Sequence, residues 1–156
     1  MRRTIREYRN AVPKLRKLSW RAWRDLASAQ IALIGAQFRV WTTETGRLTM
    51  PETEPAPAFV APDASIMHSK TLALAISRAA TYGVFRPACL VRSVSLCRLM
   101  ERRGIHGAVV RVGVVKRGAG LHAHAWVEYG GIILGDDPVN VSDYAVLPGI
   151  TVLHAD

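Results

Sequence analysis

Two rhythms run along this chain. Through residue 104 apolar residues recur every three or four positions; after it they alternate. Residues 14–41, KLRKLSWRAWRDLASAQIALIGAQFRVW, contain no proline and pass from a basic half to an apolar half. They predict one long helix or two short ones, with Ser19 as an N-cap. In IMHSKTLALAISRAAT, residues 66–81, Leu72, Ile76 and the Ala79/Ala80 pair share a face, so a second helix is expected, ended by Gly83. Residues 86–104, RPACLVRSVSLCRLMERRG, predict a third. Pro87 suits a first helical turn, Leu90, Val94, Cys97 and Met100 form a stripe for burial, and Gly104 closes the helix.

The period then changes to two. AVVRVGVVK (108–116), LHAHAWVEY (121–129) and IILGD (132–136) read as strands joined by RGAG and GG turns. Residues 51–65, PETEPAPAFVAPDAS, hold four prolines and read as a linker or extended strap. The tail DPVNVSDYAVLPGITVL reads as loop followed by a short strand or helix. Helices first and an antiparallel meander afterwards make an α+β pattern, without internal repeats. The expected division is a helical arm with its proline-rich linker over 1–60 and a main domain over 61–156.

Composition sharpens this picture. With 156 residues, 49% of them hydrophobic, the chain can build a real core, and a net charge of +9 favours an acidic partner. Ten of the 21 Lys and Arg residues lie within residues 1–41, against two acidic ones, Glu7 and Asp25. That excess suits either an acidic docking partner or a solvated helix face. The basic N-terminus lacks the apolar core of a signal peptide. LASAQIALIGAQF, residues 26–38, falls short of the about 20 apolar residues that span a bilayer, so no transmembrane segment is expected. Cys89 and Cys97 stand eight positions apart on one predicted helix, roughly 12 Å, too far for a disulfide. Both read as thiols in a reducing, cytoplasmic setting.

Position separates the two cysteines. Cys89 falls at a helix N-terminus, where the helix dipole and free N–H groups favour a thiolate, with Arg86 and Arg92 nearby; Cys97 falls in the apolar stripe. A cysteine nucleophile needs a base, and the base needs an orienting group. His122, His124, Trp126 and Glu128 share one face of the second strand. In a hairpin turning at Gly130-Gly131, Asp136 comes opposite residues 124–125, beside His124, while His122 lies further from the turn. Asp137 follows directly, which leaves the choice of carboxylate open. Cys89, Cys97, His122 and His124 do not converge as a tetrahedral metal site, so no metal is expected. No glycine motif opens a helix in the manner of a nucleotide-binding fingerprint, so no cofactor is expected. No aromatic-rich strand or recognition motif accompanies the basic helices, which argues against a nucleic-acid partner.

The segment CLVRSVSLCRLMERRGIHGAVVRVGVVKRGAGLHAHAWVEYGGIILGDDP resembles the transglutaminase-like cysteine peptidases of lasso-peptide biosynthesis, bacterial maturation proteins that remove the leader from a precursor peptide. The resemblance rests on Cys89-Leu90, Arg102 to Gly104, Arg111 to Val114, Ala123 to Glu128, and Asp136, in order and at compatible spacings over about residues 86–138. It implies an α+β transglutaminase/papain-like cysteine peptidase domain with an N-terminal helical arm. It also implies Cys89 as nucleophile, His124 as base and Asp136 as orienting acid, with no role for His122. Members often carry a Pro-Trp pair before the cysteine; here that stretch is Tyr82-Gly83-Val84-Phe85-Arg86-Pro87. The implied partners are the precursor (leader) peptide, a small leader-recognition protein and an ATP-dependent lasso cyclase, with this chain as a stand-alone leader peptidase. An acyltransferase of the same fold and a non-catalytic basic binding module are the alternatives.

Overall fold

The computed structural model describes residues 19–42, 49–50, 61–83, 85, 87–147 and 151–152. The basic N-terminal stretch before Ser19, most of the proline-rich strap and Arg86 lie outside the described residues. Helix α1 runs Trp20–Thr42 and is entered through Ser19, whose Oγ accepts from the Ala22 N–H at 3.3 Å. Strand β1 (Thr49–Met50) is followed by α2 (Asp63–Tyr82) and α3 (Cys89–Glu101). Then come β2 (Val109–Arg117), β3 (Gly120–Tyr129), β4 (Ile132–Leu134), α4 (Pro138–Ser142), β5 (Ala145–Val146) and β6 (Thr151–Val152). The main sheet has the antiparallel order β4-β3-β2-β5, and β1 pairs with β6 apart from it.

The three long helices share one core with the sheet. Ala29, Ala32, Leu33 and Ala36 of α1 meet Leu72, Ala73, Ile76 and Ala79 of α2 in a cluster that also holds Ala125, Val127 and Tyr129 of β3. Alanine on both helices lets their backbones approach closely. Helix α3 is buried on more than the expected stripe: Val91, Leu96 and Leu99 are covered as fully as Cys97 and Met100, while Leu90 is only half-buried. The reason is its place in the middle, with α1 and α2 on one side and β3 on the other. Its two buried serines are satisfied accordingly. The Ser95 hydroxyl donates to the carbonyl of Val91 at 2.6 Å and lies 3.3 Å from that of Ala32 in α1; the Ser93 hydroxyl donates to the Ala125 carbonyl of β3 at 3.0 Å. Arg103, just past α3, reaches Asp25 of α1 at 3.0 Å.

Two boundaries differ from the sequence reading in ways that shape the site. Pro87 stands before the helix and not in its first turn, because Ala88 is extended (ψ 162°) and Cys89 becomes the first helical residue. Strand β4 ends at Leu134 and not at residue 136, because Gly135 adopts φ +78° and turns the chain. The hairpin before it is tight: Gly130 and Gly131, at φ +55° and +77°, form a two-residue turn that pairs Tyr129 with Ile132 and Val127 with Leu134.

Candidate active site

Cys89 opens α3. Its N-cap, Ala88, carries no side-chain oxygen to occupy the first-turn N–H groups, and the first hydrogen bond into the helix is from Arg92 N–H to the Ala88 carbonyl at 3.1 Å. The thiol is thus half-buried at the positive end of a helix. Cys97 lies two turns further along, 6% exposed. Burial, and secondarily the charge of Glu101, pushes its thiol up to about 12. One cysteine is therefore a protonated packing residue, and the other faces a cleft.

The opposite wall of that cleft comes from β3 and the chain after β4. His124 Nε2 lies 2.6 Å from Asp136 Oδ2, with both side chains 23% exposed. A carboxylate only accepts, so Nε2 is the donor in this contact, and in the neutral imidazole Nδ1 is then the nitrogen with the lone pair. Asp136 reaches the ring because Gly135 turns the chain out of the ladder. Its other oxygen accepts from the Asp137 N–H at 2.8 Å, which fixes the carboxylate. Asp137 faces elsewhere: it caps α4, accepting from Val139 N–H at 3.0 Å. Of the two adjacent aspartates, it is Asp136 that this turn brings to His124.

Cys89, Arg92, Ser93, His124 and Asp136 line one cleft, with Ala125 and Gly135 in its wall. The Ser93 hydrogen bond to Ala125 ties the helix one turn after the thiol to the strand one residue after the imidazole. The Nε of Arg92 is buried in this wall and finds no partner among the described residues. His122 is exposed and does not line the cleft. Among the described residues, no group of three or more His, Cys, Asp and Glu side chains is placed to hold a metal ion, and no helix is long and apolar enough to cross a membrane.

The imidazole is held from the sides as well. Trp126 stacks against it at 6.3 Å between ring centroids, and Tyr144 lies at 5.2 Å, tilted by 40°. Trp126 is held in turn: its Nε1–H donates to Glu128 Oε1 at 3.0 Å, and Arg111 Nε donates to Glu128 Oε2 at 3.3 Å. Alternation puts His124, Trp126 and Glu128 on one face of β3. Gly113 pairs with His124 across the ladder and leaves room for the Trp126 ring and the Tyr144 side chain. Sequence reasoning missed Ser93, Tyr144 and Gly113. Ser93 carried a signal, a polar residue one turn after Cys89; Tyr144, in a tail without periodicity, carried none.

A family model described as Transglutaminase-like superfamily matches residues 32–148, which takes in α1 from its middle, all of α2 and α3, and the whole four-stranded sheet. No curated protein and no solved structure matches the chain.

Proposed function

Because the chain belongs to the transglutaminase-like superfamily, we propose that it is a cysteine peptidase that removes the leader from a ribosomally made lasso-peptide precursor. The single observation that carries this reading is the contact between His124 Nε2 and Asp136 at 2.6 Å, in the cleft that Cys89 also lines. The resemblance of residues 86–138 to lasso maturation proteins supports the choice of substrate.

In this mechanism the Nδ1 lone pair of His124 takes the Cys89 proton, and Asp136 stabilises the imidazolium that forms. The thiolate sulfur attacks the carbonyl carbon of the scissile amide. The oxyanion is received by first-turn N–H groups of α3, left open by Ala88. Collapse breaks the C–N bond, and the amine leaves with the proton from His124. Water, deprotonated by His124, then attacks the thioester, releases the carboxylate and returns the thiol. Apposition of thiol, imidazole and carboxylate on three different elements is what a non-catalytic module would have no need of. The acyltransferase alternative differs only in the last step, where an amine replaces water.

Mass spectrometry tests both. The chain is incubated with a lasso precursor and the leader-recognition protein encoded with it. Hydrolysis gives free leader acid and core peptide; transfer gives a product heavier by the added amine less water. An intact precursor, or equal cleavage by wild type and Cys89→Ala, would end the peptidase reading.

A further inference from the structure

A peptidase needs a surface that holds its substrate in register, and the sheet offers one beside the cleft. Strand β3 pairs with β2 along its length, from Gly120 opposite Arg117 to Glu128 opposite Val109. On its other side it pairs with β4 only at Val127, Glu128 and Tyr129. Main-chain groups of successive strand residues point to alternate sides. The two-residue hairpin 129–132 directs Tyr129 and Val127 toward β4, so Ala125, Ala123 and Leu121 direct their N–H and C=O groups the same way. The Ala125 carbonyl bears this out, since it accepts from Ser93 on that side at 3.0 Å. Beyond Ala125, no described residue bonds to the outward N–H and C=O of Ala123 or Leu121. Residues 120–123 are all exposed, Leu121 at 72%.

This edge, without a partner among the described residues, is not placed at random. It lies beyond the point where Gly135 turns the chain away from β3, and the same turn delivers Asp136 to His124. Helix α3 plugs the edge at Ala125 through Ser93, one turn after Cys89. An extended chain laid along residues 121–125 therefore runs toward the thiol.

We propose that the edge of β3 at Leu121–Ala125 is the substrate-binding rail: an extended stretch of the peptide next to the scissile bond adds to the sheet as a strand. This rests on the reading of Cys89 as the nucleophile. Leu121 and Ala123 each offer one donor and one acceptor, and Ala125 N–H a further donor. Such binding recognises main chain, so it tolerates sequence and leaves the selection of one precursor to contacts elsewhere.

The rail is tested by the alkylation rate of Cys89 with iodoacetamide, which needs no rail, and with iodoacetyl-Val-Thr-Val-Thr-amide, which uses one. Two further peptides carry N-methyl groups on alternate amides, in the two possible phases. The parent peptide should react faster than iodoacetamide. One N-methyl phase should lose about tenfold, as expected for two main-chain hydrogen bonds, and the other should keep the rate. Ala123→Pro, which removes an outward N–H at an edge position that accommodates proline, should lower the peptide-to-iodoacetamide rate ratio. A parent peptide no faster than iodoacetamide, or two N-methyl phases with equal rates, would overturn the rail. A Cys89 inert to both reagents overturns the nucleophile reading and the rail with it, and the iodoacetamide arm tells the two failures apart.

Discussion

Gly113→Ala is a change of one methyl group in a strand, at a residue where the backbone imposes no need for glycine. Its cost comes from packing alone. A Cβ at 113 would stand 2.8 Å from Trp126 Cη2, 2.9 Å from Trp126 Cζ3 and 2.9 Å from Tyr144 Cβ. None of these atoms is the free end of a flexible chain. Trp126 is 2% exposed and tethered through its indole N–H to Glu128, and a Cβ moves only with its backbone. Overpacking of this kind costs about 1–3 kcal/mol, which in a domain of this size lowers Tm by roughly 3–10 °C. Trp126→Phe removes both ring atoms in question but leaves the Tyr144 contact, and alone it costs about 1–3 kcal/mol through the space left and the lost hydrogen bond. The double variant should then be more stable than the sum of the two by about 1–2 kcal/mol. Urea unfolding followed by circular dichroism, at constant m-value, measures this coupling. Additivity within about 0.5 kcal/mol, or a Gly113→Ala midpoint equal to wild type, would refute the account of why glycine faces His124. Because Trp126 and Tyr144 flank the imidazole, Gly113→Ala should also slow alkylation of Cys89.

The two thiols should part company in solution: at pH 8 one equivalent of Ellman's reagent should react in the native protein, at Cys89, and two in denaturant. Cys97 has its folded value raised from 9.0 to about 12, so its burial stabilises the fold fully below pH 9 and that contribution is lost as pH rises toward 12. The advantage of wild type over Cys97→Ala in urea midpoint should therefore shrink across that window, and a constant difference would contradict it. Asp136→Asn should lower turnover of the precursor by roughly 10³–10⁴-fold, the scale for loss of the orienting acid in such a triad. Asp137→Ala should instead cost about 1 kcal/mol of stability through the lost cap of α4, with most of the turnover retained; the opposite ranking would mean that the wrong carboxylate is paired with His124. Asp25→Asn, which removes the partly buried partner of Arg103, should cost about 1 kcal/mol by the same unfolding assay, loosening α3 from α1.

Local information sufficed for much of this molecule. The period of apolar residues gave three helices and three strands. Gly130-Gly131 gave the hairpin, and the spacing from that turn brought residue 136 opposite residues 124–125. Cys89 was recognisable as the helix-start cysteine because Pro87 precedes it and an apolar stripe follows. These features are written in residues a few positions apart, and a helix or hairpin is a local object. Tertiary structure decided what local pattern could not. Helix α3 is buried nearly all round because α1, α2 and β3 converge on it, which no property of its own sequence announces. Gly135 at φ +78° shortened β4 and brought Asp136, not Asp137, to His124; a strand read as five residues concealed both. Tyr144 reaches His124 only because β5 lies beside β2, a pairing of two residues too short to leave a periodic trace. A contact between distant segments is stabilised by the whole core at once, so its specification is spread over residues that are neighbours in space and strangers in sequence.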